Sequence, residues 1–417
     1  MKQRNAGRCT YILLAVSLLL FFCSGCGKNA ESTTDTSVSP EGGGEGGTNA
    51  AGNSGEWNGF TIEERVALTY ATMFQIDKLS GGCRRITISG QEYLIVPENA
   101  EVTGDLPEEI TVIRQSKEKL YVASSSAMSF FQALSALDRV GFTSTKAADW
   151  TEEEIRKAVE SEDITYVGKY NAPDYEWLMQ EGAGLAVENT MLLHSPKTKE
   201  QLEQLGIPVL IEYSSYESHP MGRLEWVRVY GCILGMEAEA EEYFRKEDER
   251  FRALIGKPDG EGTSEQPSQG AEDAADHPRV AYFYMNPSGY VSVQRTGSYV
   301  AEMIRLAGGD YFLSKDDGDA TEGTGSMNLQ TDRFYEEAKD ADILIYNGAI
   351  YGPPESLDLL VEEYPLLKDF KAVQSGNVYT TGDNLFQGIT HMNNVLEELI
   401  GIVTGEGNDG AFFRKLR

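Results

Sequence analysis

Histidine is scarce in this chain: His194, His219, His277 and His391 are the whole complement of its 417 residues. There is no HExxH, no GxSxG, no phosphate-binding P-loop and no GxGxxG placed after a strand. No enzyme class therefore has its motif here, and no catalytic residue is assigned. His219, directly before Pro220 at a helix start, reads as structural. Cysteine is equally sparse, and beyond residue 26 there is no CxxC or Cys/His spacing suited to zinc. Basic residues are in deficit, with 36 Lys and Arg against 66 Asp and Glu, a net charge of −30. Such a charge repels nucleic acid and anionic membrane surfaces and favours solubility.

What is present begins with a secretory leader. Lys2, Arg4 and Arg8 precede an apolar run, Tyr11 to Phe22, too short for the roughly 20 residues of a spanning helix. The run ends in Cys23-Ser24-Gly25-Cys26, which resembles the bacterial lipoprotein box with cysteine where leucine is commoner. That resemblance makes Cys26 the first mature residue and the site of lipidation. Loss of residues 1–25 removes three bases and no acid, taking the net charge from −30 to −33. The lipid, not electrostatics, would then hold the protein at the membrane.

The boundaries expected from composition are a leader over 1–25, a flexible tether over 26–59, a first α/β lobe over 60–235, a long helix over 236–256, an acidic low-complexity insertion over 257–277 and a second α/β lobe over 278–417. The tether and the insertion are too poor in apolar residues to bury a core. Cys83 and Cys232 are permitted a disulfide outside the cytoplasm. Cys232 falls in an apolar helical run beside Ile233 and Leu234, so two buried thiols are the better reading.

Strand and helix patterns alternate through both lobes, which predicts parallel-rich sheets. Arg85–Ser89 and Tyr93–Val96 form a hairpin about Gly90. Leu120–Ser124 leads to a helix over 127–140, Ile164–Gly168 to one over 174–181, and Leu185–Glu188 to one over 197–205, before the strand Pro208–Tyr213. In the second lobe, strands at 279–284, 343–346 and 378–380 alternate with helices at 298–307, 332–338 and 390–404. Between the lobes, Ser218 can cap a helix with Pro220 in its first turn, and Gly235 can stop it. A second helix, Glu237 to Leu254, would be roughly 27 Å long. Its pairs Glu241–Arg245, Glu242–Lys246 and Asp248–Arg252 have acid before base at i,i+4. The expected architecture is two Rossmann-like α/β lobes joined by one long bridging helix.

Five segments, in order, resemble ABC-importer binding proteins of the iron-siderophore, haem and vitamin B12 type. They are YVASSSAMSFFQALSALDRVG (121–141), KYNAPDYEWLMQEGAGLAVENT (169–190), YESHPMGRLEWVRVYGCILGMEAEAEEYF (216–244), TGSYVAEMIRLAGGDYF (296–312) and AKDADILIYNG (338–348). The resemblance, which covers nearly all of residues 60–417, implies an extracytoplasmic, lipid-anchored monomer without chemistry of its own or a resident cofactor. Such a protein captures a metal chelate between its lobes and delivers it to a permease and its ATPase.

Ligands of such folds sit where the carboxyl ends of the strands face one another. Those ends offer Ser125, Tyr170, Asn189 and Tyr216 in the first lobe, and Tyr284, Asn347 and Asn384 in the second. Tyr290 and Arg295 are placed to reach the cleft from a loop. Tyrosine rings suit a flat macrocycle or aryl chelator, and Arg295 a carboxylate or phosphate. With only Lys169 and Arg295 as bases in these segments, a less charged chelate is favoured over a highly anionic catecholate complex. The resemblance also implies one acidic permease-docking residue per lobe, on Glu176 and Asp332. A rival reading is direct binding of a transition-metal ion by His194, His219, Glu188 and Glu217. A surface-adhesion module displayed on the tether is a further, weaker reading.

Overall fold

The computed structural model describes residues 55–102, 106–256, 277–314, 323–382, 384–407 and 409–417. The leader, Cys26, most of the tether, Asp383 and all but the last residue of the expected insertion lie outside them.

The first sheet is a meander: β1 (Glu56–Trp57), β2 (Phe60–Arg65), β3 (Phe74–Leu79), β4 (Arg84–Ile88), β5 (Gln91–Val96) and β6 (Thr111–Arg114) lie side by side in chain order. Only the β5–β6 pair is parallel. The hairpin expected about Gly90 is present, with Ile88 opposite Gln91 across the two-residue turn Ser89-Gly90. Both turn residues have positive φ, 48° and 84°, as a type I′ hairpin requires. The tether ends earlier than expected. Trp57 already pairs with Phe60, its indole donates to Glu92 at 3.4 Å, and the Arg85 guanidinium lies 5.2 Å from its ring. One tryptophan in a polar tract was the signal that packing begins there.

The second sheet is the wall of the first lobe. In chain order it runs β7 (Leu120–Val122), α1 (Met128–Ala133), β8 (Val140–Thr143), α2 (Glu153–Glu160) and β9 (Thr165–Tyr166). A small hairpin follows, β10 (Gly168–Lys169) and β11 (Ala172–Pro173). Then come α3 (Tyr175–Gln180), β12 (Leu185–Asn189), α4 (Pro196–Gln204) and β13 (Val209–Glu212). The spatial order is β13-β12-β7-β8-β9, all parallel. The single helix expected over 127–140 is in fact a short helix and a 3-10 turn, Leu137–Arg139, with a strand beginning at Val140. The helix ends at Ala133, Ser135 takes φ 53°, and Val140–Thr143 is a fully buried strand between β7 and β9. The apolar spacing continues past Ala133, so periodicity alone did not show the break that Ser135 makes in the backbone.

Three helices lead out of this lobe: α5 (Pro220–Glu225), α6 (Val227–Leu234) and α7 (Glu237–Leu254). The cap of α5 is His219 rather than Ser218. The imidazole Nδ1 accepts from the Met221 amide at 3.1 Å, and Pro220 fills the first turn as expected. Gly235 ends α6 at φ 69°, a left-handed position that favours glycine. A Cβ on Gly231 would stand 2.6 Å from that of Ala240, so glycine sets how closely α6 and α7 cross. Helix α7 has the expected bounds. Its pairs Glu242–Lys246 and Asp248–Arg252 form, but Arg245 turns to Glu242 and Glu249 while Glu241 goes to Arg228. These pairs are largely solvated and add little stability.

What anchors α7 to the first lobe is a clasp of buried carboxylates. Glu225 accepts from the amides of Thr69, Tyr70 and Ala71 at 2.8–3.2 Å, and Glu217 accepts from those of Thr72 and Met73 and from the Trp226 indole. The strand-free segment so held points Tyr70 at α7. Its hydroxyl donates to Asp248 at 2.6 Å, and its ring stacks on His219 and meets Phe251 edge-on.

The second lobe runs β14 (Arg279–Met285), β15 (Val291–Gln294), α8 (Tyr299–Leu306), β16 (Asp310–Tyr311), β17 (Ser326–Leu329), α9 (Thr331–Ala338) and β18 (Ile343–Tyr346). It continues with α10 (Gly348–Tyr351), α11 (Leu357–Glu363), α12 (Lys371–Ser375), β19 (Val378–Thr381), α13 (Asn384–Gln387), α14 (Met392–Thr404) and β20 (Phe413–Lys415). Strands β14, β18 and β19 form a parallel centre flanked by antiparallel β15, β17 and β20, with β16 parallel to the start of β14. Helix α7 packs on this lobe too: Tyr243 donates to the Thr390 carbonyl, Asn393 to the Glu247 carbonyl, and Arg250 to Asn394. Cys83 and Cys232 are free and buried, in separate apolar clusters.

Candidate ligand-binding cleft

Parallel strands deliver their carboxyl ends to one edge of each lobe, and the loops that follow carry the candidate side chains. In the first lobe the loop after β7 carries Ser124, whose hydroxyl lies 3.3 Å from Glu212 at the end of β13; Ser126 lies 3.4 Å from the same oxygen. The Ser214 amide donates to the other Glu212 oxygen at 2.8 Å. Burial nevertheless pushes the Glu212 carboxyl above the ordinary carboxylate range. Arg223, on α5 and 2% exposed, faces this group and stacks its guanidinium 4.0 Å from the ring of Tyr299 in the second lobe. A buried cation–π contact therefore crosses between the lobes. A second crossing joins α13 to the loop before α2. Gln387 on α13 accepts from the amide and hydroxyl of Thr151, both at 2.9 Å, and donates to the Asp149 carbonyl at 2.7 Å.

The expected site residues fall into three groups. Ser125 and Tyr216 are half-buried in the loops after β7 and β13, Tyr170 in the turn of the β10–β11 hairpin and Tyr284 near the end of β14, and Tyr290 is 38% exposed in the turn after β14. Tyr216 leans on Tyr213 and Tyr284 on Tyr351, with ring centroids 5.7 and 5.8 Å apart. Arg295 is half-buried at the end of β15, its amide bonded to the Gly325 carbonyl. The three asparagines serve the backbone. Asn189 accepts from the Met191 amide, and Asn384 donates to the Ala411 carbonyl. Asn347 is 1% exposed and accepts from the Ala349 amide and the Thr381 hydroxyl, so it is a post inside the lobe rather than a cleft wall. Polar type and strand-end position matched a ligand residue, but an asparagine before a helix caps it when the helix starts at once. Glu176 and Asp332 are exposed in the first turns of α3 and α9.

The residues set aside for a bare metal ion do not converge. Glu217 is consumed by the clasp, His219 caps α5, and His194 is exposed at the end of a short turn. Glu188 is buried, and burial alone pushes its carboxyl up to about 9. Among the described residues no three His, Cys, Asp or Glu side chains stand close enough to hold a metal ion. Sequence reasoning missed Arg223, Tyr299 and Gln387. Arg223 lies among apolar residues in Pro220–Trp226, and that was its only trace.

Residues 124–385 match the model of the periplasmic binding protein family. This chain belongs to that family. A periplasmic binding protein is a solute-binding protein and not an enzyme, in keeping with the missing catalytic motifs. An uncharacterized lipoprotein of Methanocaldococcus jannaschii, MJ0878, is 26% identical over 341 residues, 78% of this chain and 75% of that one. The fold is that of solved periplasmic haem-binding proteins. One from Pseudomonas aeruginosa superposes with a TM-score of 0.54 at 15% identity, covering 72% of this chain and 98% of that one. HutB of Vibrio cholerae gives 0.51 at 16% identity, covering 68% and 99%.

Proposed function

We propose that this binding protein is the extracytoplasmic, lipid-anchored component of an ABC importer, taking a metal chelate such as an iron-siderophore, haem or a corrinoid between its lobes and passing it to a permease and its ATPase. The observation that carries the reading is a parallel-centred sheet in each of two lobes, an 18-residue helix fastened to both, and the buried Arg223–Tyr299 contact that crosses between them. The family, the solved haem-binding relatives and the lipoprotein relative support it. The half-buried tyrosines Tyr170, Tyr216 and Tyr284, with Tyr290 and Arg295, are the proposed contacts; aromatic rings give a chelate broad apolar area and a hydroxyl handle. Cys26 is the proposed lipid site.

The test is quenching of Trp and Tyr fluorescence of the mature protein by a panel of ferric hydroxamates, ferric catecholates, haem and cobalamin. One class should quench at micromolar concentration, and silence across the panel rejects the chelate. Glu176 and Asp332 are the proposed permease contacts, exposed at helix N-termini on separate lobes. Replacing both with Ala should leave that quenching intact and abolish uptake; unchanged uptake rejects the docking assignment.

A further inference from the structure

Between β19 and α14 the second lobe sends a short finger onto the first: helix α13, Gly388 and a 3-10 turn, Ile389–His391. Its root is firm. Ile389 and Thr390 are buried, and the Tyr243 hydroxyl of α7 donates to the Thr390 carbonyl at 3.1 Å. A Cβ on Gly388 would stand 3.3 Å from the His391 ring, so glycine lets that ring lie close against the chain. The finger meets the first lobe just before α2. There Gln387 holds Thr151 and the Asp149 carbonyl, and His391 Nε2 lies 3.7 Å from Oε1 of Glu152.

The histidine contact is the one that responds to pH. At 3.7 Å it is too long for a hydrogen bond, and a neutral ring gains little from it. A protonated ring turns it into an ion pair, and histidine is the side chain whose charge ordinarily changes between about pH 5 and 8. Among the described residues Glu152 is the one carboxylate within 4 Å of the ring. The other charges nearby are committed elsewhere. Helix α1 has no ionisable side chain, and on α5 Arg223 stacks on Tyr299 while Glu225 is held in the clasp. On α14 Glu397 is bound to Arg250 and Glu398 to the amides of residues 411–413. On α2 Glu153 pairs with Lys157 and Glu154 accepts from Gln132, and on α7 Glu247 accepts from Asn393. Phe412, whose ring centroid is 6.1 Å from that of His391, carries no charge.

We propose that this finger is an acid-strengthened latch between the lobes. Glu152 stands beside His391 only while the lobes meet, so the closed state binds the imidazole proton more tightly than the parted state. By linkage, closure strengthens as pH falls through the histidine range and weakens as pH rises through it. Both side chains are partly solvated, 39% and 25% exposed, so the gain is that of a surface pair, about two- to fivefold in the closing equilibrium. Slower release of a bound solute in acid would follow, a consequence that rests on the importer reading; the latch itself does not.

The Thr151 amide is the reporter, because it donates to the Gln387 side chain and is freed when the finger lifts. Hydrogen exchange of the ligand-free mature protein is followed by mass spectrometry at about pH 5.5 and 7.5 and corrected for the intrinsic rate at each pH. Protection of the Thr151 amide should be about two- to fivefold higher at the lower pH. His391→Gln and Glu152→Gln should each abolish that difference, and the double variant should do no more than either. Gln387→Ala should strip the protection at both pH values. Protection that does not rise in acid, or a rise that persists in either single variant, overturns the proposal. So does protection left intact in Gln387→Ala, since the finger would then not be what covers this amide. No ligand enters the measurement, so a failed latch and a failed chelate panel are told apart.

Discussion

Glu188 sits in the first lobe, 0% exposed, and among the described residues neither carboxyl oxygen has a hydrogen-bond partner. By the two-residue alternation of a strand it shares a sheet face with Ala186, whose partner across the ladder is Tyr121. Burial pushes its carboxyl up to about 9, so it is neutral in the folded protein at pH 7. An unfolded glutamate titrates near 4.3. Between those values the unfolded chain releases a proton that the folded chain keeps, so stability falls as pH rises across the window. The slope from this one group is about 1.4 kcal/mol per pH unit, and by pH 7 the accumulated loss is about 3–4 kcal/mol. Glu188→Gln removes the ionisable group while keeping its shape. Urea denaturation at pH 5, 6, 7 and 8 should show the parent losing stability faster than the variant, with the variant gaining relative to the parent at every step. Parallel pH profiles for the two would refute the reasoning. Glu212 and Glu217 are raised in the same direction, so the variant should retain a shallower slope of the same sign.

Other consequences follow from the clasp, the thiols and the bridge. Glu225→Ala strands three backbone amides and takes from Arg228 one of its two carboxylate partners, and should cost about 3–5 kcal/mol in urea unfolding; a loss below about 1 kcal/mol would show that solvent replaces the clasp. Cys232, held up to about 12 by burial, and the buried Cys83 should resist thiol reagents at pH 8 in the native mature protein and react in urea; fast native labelling would contradict the packing. Two interlobe crossings and a helix fixed to both lobes oppose wide opening. Small-angle scattering should therefore change little when a ligand binds, and a marked contraction would contradict the rigid bridge.

Local signals reached far into this fold where the chain states its own boundaries. Helix α7 has the expected bounds because Gly235 stops the helix before it and the charge pattern that follows is helical throughout. Strand β8 was not legible, since Val140–Thr143 is apolar for reasons that lie in β7 and β9. Its identity as a strand is a fact of tertiary pairing. The site divides in the same way. Strand ends could be placed from sequence, and Tyr216 and Tyr284 are half-buried near two of them. Whether a polar side chain at such an end faces a ligand or its own backbone depends on the next three residues' path. Asn347 turned inward because α10 begins at once and its first amides need an acceptor. Arg223 is the harder case, for its meaning lies in Tyr299, 76 positions away and in the other lobe. A buried guanidinium among apolar neighbours looks like an error until the second lobe supplies a ring face to receive it. Contacts of that kind couple the two lobes, and for the same reason neither lobe's sequence contains them.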